Sequence, residues 1–190
     1  MNALTVNGKQ LTVDGVEILG YGVPAPVLEE VTIGKQTWLA KNLAIDDGGD
    51  GIYTRVLNYG QSDVTEYYYN WDAAMRIAES LEGWHVPTLI ELQTLLYVCG
   101  DRVAGLHTKS TYGWYDNGNG DDRYGLSIFP AGYWYNDAFY DEFNRSIFWT
   151  STKQTETRPY AFNVAYNTNI MSYDSSTNLT QCLTVRLIKD

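Results

Sequence analysis

The sequence has few basic residues and no long hydrophobic run. It contains 13 Lys and Arg against 23 Asp and Glu, so its formal net charge at pH 7 is −10. A surface of this sign repels a phosphate backbone, which argues against nucleic acid as a partner. No stretch approaches the roughly 18 uninterrupted apolar residues of a transmembrane helix, so we expect no membrane insertion.

Cysteine and histidine are also scarce. Cys99 and Cys182 are the two cysteines, and they form neither a C-x-x-C motif nor a zinc-ligand pattern. One disulfide and two separate buried thiols both stay open, and two buried thiols are the simpler interpretation. Of the two histidines, His85 and His107, the first lies within GWHVPT. We interpret His85 as a hydrogen-bonded structural residue rather than a catalytic base.

Sequence patterns of a catalytic centre are missing. The chain contains no G-x-S-x-G, P-loop, H-E-x-x-H or G-x-G-x-x-G motif. A carboxylate pair such as Asp137 with Asp141 could serve a glycosidase, but such pairs are common in any acidic chain. We therefore predict that the protein is not an enzyme and needs no cofactor.

The N-terminal part of the 190-residue chain contains a short tandem repeat. Residues 4–8 read LTVNG and residues 11–15 read LTVDG, so each copy is a β-prone run followed by a strong turn signal. We interpret residues 1–26 as a β-hairpin appendage that docks to a virion or drives homo-oligomerisation, and residues 27–190 as the main domain. The N-terminus has no basic region followed by an apolar region, so we predict no signal peptide, which favours a phage product unless a signal was removed.

Periodicity predicts two helices in the first half of the chain. Apolar residues at helical spacing predict one over 70–81. Thr88 and Glu91 match a capping box ahead of an apolar run and predict a second helix over 89–98.

The other segments favour strands and loops. Residues 31–45 alternate on both sides of Gly34 and predict two strands, and DDGGDG at 46–51 predicts a loop. Short alternating runs after residue 100 predict four or five strands joined by long polar loops. Helices early and strands late indicate an α+β fold.

Five blocks of sequence, in order, resemble the Fibrobacter succinogenes major paralogous domain family. The blocks are NWDAAM, GWHVPTLIELQTL, TYGWYDNGNGDDRYGLSIFPAGYW, FWTSTKQ and LTVRLIKD, and the resemblance covers about residues 31–190. The resemblance implies a C-type-lectin-like fold: two helices beside a small twisted antiparallel sheet, long loops and neighbouring termini. That fold group includes formylglycine-generating-type domains, so an enzyme of that type is a remote alternative. Cys99 and Cys182 do not match the copper-binding cysteine pair of those domains. It also includes the variable proteins of diversity-generating retroelements, which bind ligands through a C-terminal stretch on a fixed scaffold.

Residues 131–180 have the composition of a binding surface. Tyr, Asn, Asp, Ser and Thr make up 27 of these 50 residues, a mixture typical of paratopes. We predict that Phe148, Trp149, Ser151 and Thr152 are scaffold. We expect the ligand, a protein or glycan on a target cell, to contact Tyr135, Asn136, Asp137, Tyr140, Asp141, Asn144, Tyr160, Asn163, Tyr166, Asn167, Asn169 and Tyr173.

Two functions follow from this surface. The first is that of a retroelement variable protein on a phage virion or a bacterial cell surface. The alternative is a structural or adhesive domain of a bacterial surface protein, without diversification. Alternation in YAFNVAYN places Tyr160 and Tyr166 on one side of a strand and Asn163 and Asn167 on the other, so a regular strand cannot present all four together.

An acidic, Gly-rich loop is a weak candidate for structural calcium. Its oxygen-bearing side chains suit a hard cation but lack the EF-hand spacing, so a solvated turn is the favoured interpretation. The candidate ligands are Asp116, Asn117, Asn119, Asp121 and Asp122.

Overall fold

The computed structural model describes residues 28–174 and 177–190, together with the backbone of four two-residue strands closer to the N-terminus. These strands are β1 (Thr5–Val6), β2 (Lys9–Gln10), β3 (Thr12–Val13) and β4 (Val16–Glu17). β1 pairs with β2, and β3 pairs with β4, each antiparallel. The remainder of the predicted appendage over 1–26 lies outside the described residues, and its docking role stays a prediction.

The described part of the main domain is mixed α+β, as predicted, and every pairing between its named strands is antiparallel. Its elements are β5 (Glu30–Ile33), β6 (Gln36–Leu39), β7 (Ile52–Asn58), β8 (Asp63–Tyr69), α1 (Trp71–Glu79), β9 (Trp84–His85), α2 (Leu89–Val98), α3 (Ala104–Thr108), β10 (Tyr133–Tyr135), β11 (Ala138–Tyr140), β12 (Arg145–Thr155), β13 (Arg158–Ala165), β14 (Met171–Asp174) and β15 (Ile188–Lys189). Short 3₁₀ turns cover Asp101–Val103 and Tyr115–Asn117.

Several small sheets replace the single sheet that was expected. A four-stranded sheet has the order β5-β6-β15-β9, and a three-stranded sheet has the order β12-β13-β14. β7 pairs with β8, and β10 pairs with β11. Because Ile188 in β15 pairs with Trp38 in β6, the beginning and the end of the main domain lie side by side.

The two predicted helices are confirmed, and a third was missed. The Asn70 side chain accepts a hydrogen bond from the backbone of Ala73 at the start of α1. Thr88 and Glu91 form both bonds of the capping box at the start of α2. The expectation of two helices is wrong because of α3, which is five residues long and contains a glycine. One turn is too short to produce a detectable period.

Strands β7 and β8 form a hairpin that the patterns above do not predict. Its two arms are seven residues each and pair from Ile52 with Tyr69 to Asn58 with Asp63. The second arm ends in Tyr68 and Tyr69, whose side chains are fully buried. This hairpin supports the candidate site described below.

Two hydrophobic clusters cover opposite sides of the β12-β13-β14 sheet. Phe148 and Phe162 pack with α2 in one cluster, whereas Trp149 and Ala161 pack with α1 in the other. Successive side chains of a strand point to opposite faces, so one strand supplies both clusters. Phe148 and Trp149 have no exposed surface, which confirms them as scaffold.

Candidate functional site

The hairpin of β10 and β11 presents the most exposed part of the predicted binding surface. Its turn residues, Asn136 and Asp137, have φ angles of 48° and 60°. Left-handed backbone at both central residues is the geometry of a type I′ turn, which Asn and Asp tolerate better than most residues. Tyr133 pairs with Tyr140 and Tyr135 pairs with Ala138, so these side chains share one face of the hairpin.

The opposite face of this hairpin is anchored on β7 and β8. The Trp134 ring stacks on Tyr53 with 3.7 Å between centroids, and Phe139 packs edge-on against Tyr68. The guanidinium of Arg55 lies 5.0 Å from the centre of the Phe139 ring. Trp134 and Cys182 exchange two backbone hydrogen bonds of 2.9 Å. These contacts hold the hairpin in one orientation.

The outward face combines aromatic rings and carboxylates. The rings of Tyr133 and Tyr140 stack with 5.5 Å between centroids, and the Asp141 carboxylate lies 3.6 Å from Arg145. Burial, with a smaller contribution from Asp141, raises the pKa of Tyr133, so its hydroxyl stays a neutral donor. Tyr135 and Tyr140 are 40% and 41% exposed. We call this set the hairpin surface: Tyr133, Tyr135, Asn136, Asp137, Tyr140 and Asp141.

A second group of predicted residues adjoins the hairpin surface. The backbone carbonyl of Asp141 accepts hydrogen bonds from the amides of Asn144 and Arg145, and the Asn144 carbonyl accepts one from the amide of Tyr166. Asn144 and Tyr166 are half-buried, and the Tyr166 ring packs edge-on against Tyr115. Asn167 and Asn169 follow in an exposed loop.

A buried lysine holds the loop of the second group in place through hydrogen bonds to its backbone. The Lys109 ammonium donates to the backbone carbonyls of Ala165, Tyr166 and Thr168 at 3.0–3.4 Å. Burial lowers the pKa of Lys109, and the three carbonyls provide its hydrogen-bond acceptors.

The remaining three predicted residues lie apart from the hairpin surface. Tyr160 packs edge-on against Tyr173, whose hydroxyl accepts a hydrogen bond from Gln93 of α2. Tyr160 and Tyr166 are six residues apart on an extended segment, which corresponds to about 20 Å. Asn163 lies on the opposite side of the sheet, where its amide reaches Asp174 at 3.5 Å. The twelve residues therefore form two adjoining groups, a separate pair of tyrosines and a separate asparagine, not one continuous surface.

Four of the five candidate calcium ligands use side-chain oxygens in contacts with other residues of the protein. Asn119 accepts from the backbone of Trp114 and donates to Asn117. Asp121 contacts His107 at 3.0 Å, and Asp122 accepts from both the amide and the hydroxyl of Ser127. Asp116 and Asn117 have left-handed backbone. Within residues 28–174 and 177–190, no three His, Cys, Asp or Glu side chains converge as a metal site.

His85 and the two cysteines have structural surroundings. The His85 ring contacts Asp190 through Nδ1 at 2.7 Å and Glu91 through Nε2 at 3.0 Å, which confirms the hydrogen-bonded role. Cys99 and Cys182 are free and buried in different clusters, so the interpretation as two separate thiols is confirmed. Burial raises the pKa of each thiol to about 12.

A buried arginine and a buried glutamate, which sequence reasoning missed, lie between the strands. Arg186 is 1% exposed and Glu66 is 3% exposed. Asn42 connects them, because its carbonyl oxygen accepts from Arg186 at 2.8 Å while its amide donates to Glu66 at 2.8 Å. The Tyr59 hydroxyl donates to the other Glu66 oxygen at 3.0 Å. A lone arginine within the apolar run LTVRLI was the available sequence signal.

Burial dominates the protonation of this pair. It lowers the pKa of Arg186 to about 10, so the guanidinium is still charged at neutral pH. Burial also raises the pKa of Glu66, against the opposing effects of Asn42, Tyr59 and Arg186.

Comparison with known proteins gives one match. The family model described as Fibrobacter succinogenes major domain matches residues 31–189. Neither the curated proteins nor the solved structures gave a match. Among the described residues, no helix has the length and apolar character needed to cross a membrane.

Proposed function

We propose that this chain, which belongs to the Fibrobacter succinogenes major domain family, is a non-catalytic adhesive domain of a bacterial surface protein. The observation that carries the proposal is the hairpin surface, where tyrosines and carboxylates lie outward on a hairpin whose inner face is anchored by stacked rings. On this proposal the domain has a C-type-lectin-like scaffold. The pairing of β6, near the start of the main domain, with β15 at its end supports that scaffold.

The chemistry of the hairpin surface suits recognition of a protein or a glycan. Tyr135 and Tyr140 offer flat apolar rings together with hydroxyl groups, and a tyrosine loses little conformational entropy when it binds. Asp137 and Asp141 add acceptors for hydroxyl and amide donors. β7 and β8 hold the hairpin in one orientation in the absence of a ligand. Binding therefore costs little additional conformational entropy.

A second candidate is a variable protein of a diversity-generating retroelement. The richness of residues 131–180 in Tyr, Asn, Asp, Ser and Thr favours it. However, much of this composition has a local structural explanation. Asn136, Asp137 and Asp141 occupy left-handed backbone positions, and Asn144 and Asn163 are half-buried. We therefore rank the adhesive domain first. A reverse-transcriptase gene nearby, with a near-copy of the coding segment that differs only at adenines, would reverse this order.

Binding to intact cells tests the proposal. The fluorescently labelled full chain is titrated onto a panel of bacterial species and measured by flow cytometry, beside a double variant with Tyr135→Ser and Tyr140→Ser. The matched control is Tyr97→Ser, since Tyr97 on α2 is 76% exposed and lies outside the hairpin surface. Protease or periodate treatment of the cells distinguishes a protein target from a glycan target.

We expect saturable binding to at least one species, weakened about tenfold or more by the double variant and unchanged by Tyr97→Ser. Tenfold corresponds to about 1.4 kcal/mol, a modest loss for two tyrosines in an interface. Equal binding by the wild type and the double variant, or loss of binding in the control alone, would contradict the assignment of the hairpin surface.

A further inference from the structure

A cavity of about 730 Å³ lies on a different part of the molecule from the hairpin surface. Its walls come from the segment after β6, the start of β8, the loops around residues 110 and 125, and Arg186 near the C-terminus. Ser62, Thr65 and Thr111 line it and are exposed, whereas Glu66 and Arg186 line it and are buried. Exposed hydroxyl side chains and the two buried residues therefore line the same cavity.

The polar groups at the buried end are only partly satisfied by the protein. Arg186 donates through Nη1 to the carbonyls of Leu39 and Leu126, and through Nη2 to Asn42. Its Nε is buried and has no hydrogen-bond partner among the described residues. A guanidinium has five N–H donors, and a stranded buried donor costs about 1–3 kcal/mol.

Glu66 complements this free donor with spare acceptor capacity. Its two oxygens each accept one hydrogen bond, from Asn42 and from Tyr59. A carboxylate has about four acceptor positions, so about half of them stay open. Arg186 and Glu66 thus line the same cavity, and each has hydrogen-bonding capacity that the described residues leave unused.

We propose that this cavity binds a neutral polyhydroxylated ligand of monosaccharide to disaccharide size. A hydroxyl group both donates and accepts, so adjacent hydroxyls of one ligand can donate to Glu66 and accept from Arg186. The volume lies within the roughly 300–1,000 Å³ range of small-molecule sites.

The lining disfavours strongly charged ligands. The charged residues in the wall are Glu29, Asp63, Glu66 and Asp122 on the acidic side and Lys41 and Arg186 on the basic side. An anion would face four carboxylates, and a cation would face the fixed charge of Arg186 at the buried end. Phe129 and the half-buried Tyr112 add ring surfaces against which the C–H groups of a sugar can pack.

Ligand-detected NMR and calorimetry on the full chain test this site. The probes are glucose, galactose, mannose, N-acetylglucosamine, cellobiose and maltose, with spermidine and inorganic phosphate as charged probes. Thr111→Trp places a bulky ring in the cavity wall near solvent and leaves the buried hydrogen bonds intact. The matched control is Thr157→Trp, because Thr157 is exposed and does not line the cavity.

We expect saturable binding of at least one neutral sugar, weakened at least tenfold by Thr111→Trp and retained by Thr157→Trp and by the hairpin double variant. A Glu66→Gln variant that still unfolds cooperatively should also bind at least tenfold more weakly. Absence of binding by all six sugars, binding of the charged probes alone, or sugar binding unaffected by Thr111→Trp would overturn the proposal. The hairpin double variant leaves the cavity residues unchanged. Sugar binding by this variant therefore tests the cavity separately from the adhesive function of the hairpin surface.

Discussion

Replacement of Arg186 by leucine probes how the scaffold is held together. The buried guanidinium donates three hydrogen bonds of 2.7–3.0 Å, to Leu39 and Asn42 on one segment and to Leu126 on another, so it links its own segment to two others. Leucine would fill part of the volume but leave two buried backbone carbonyls and one amide oxygen without their donor. It would also leave the Glu66 carboxylate without its nearby positive charge.

The expected loss of stability follows from these groups. Each stranded buried acceptor costs about 1–3 kcal/mol, while the variant no longer bears the cost of removing a guanidinium from water. The balance for breaking a buried charge network is a loss of about 3–5 kcal/mol in the free energy of unfolding. With a urea m-value of about 2–3 kcal/mol/M, the midpoint should fall by about 1–2 M.

Urea titration followed by tryptophan fluorescence measures this change. Arg145→Leu is the matched control, because Arg145 is 45% exposed and its contact with Asp141 lies at the surface. Exposed pairs contribute less than about 1 kcal/mol, so the control should unfold near the wild-type midpoint. An Arg186→Leu protein as stable as the control would refute the reasoning that this arginine holds three segments together.

Three further predictions concern local contacts. Arg76 lowers the pKa of Asp47 from 3.8 to about 2, so the contribution of this pair to stability is present above pH 3.8 and is lost as the pH falls through 2. NMR titration of Arg76→Ala should show the Asp47 pKa returning towards 3.8, and an unchanged value would exclude Arg76 as the cause. Cys99 and Cys182 should resist a thiol reagent at pH 8 in the folded protein and react once urea unfolds it, whereas rapid labelling of the native chain would contradict their burial. Glu91→Ala should cost about 1 kcal/mol by removing the capping box of α2, and Glu91→Gln, which keeps an acceptor, should cost less in the same urea assay.

Local sequence signals were enough to locate the two helices whose N-terminal residues form capping hydrogen bonds. Asn70 and the pair Thr88 and Glu91 mark the starts of α1 and α2, because capping depends on residues only three positions apart. The β7–β8 hairpin escaped prediction although its second arm, DVTEYYY, is rich in β-prone residues. Its turn at residues 59–62 lacks an Asn-Gly or Asp-Gly pair, the strongest hairpin signal.

The candidate site was only partly predictable, because its parts meet through long-range contacts. Exposure of Tyr135 and Tyr140 follows from alternation in a short hairpin, whereas the separation of Tyr160 from them depends on the length of β13. The cavity depends on Glu66 and Arg186, which are 120 positions apart in the chain. No local pattern connects two such residues; a charged residue inside an apolar run indicates only that a buried partner exists.

Photo-crosslinking on the cells that bind the chain tests the central claim most directly. The photoreactive residue p-benzoylphenylalanine replaces Tyr140 in one protein and Tyr97 in another, and covalent adducts are counted after irradiation. If the hairpin surface is where the domain contacts its target, the Tyr140 position should yield an adduct with a cell-surface component and the Tyr97 position should not. Adducts from Tyr97 with none from Tyr140 would contradict the claim.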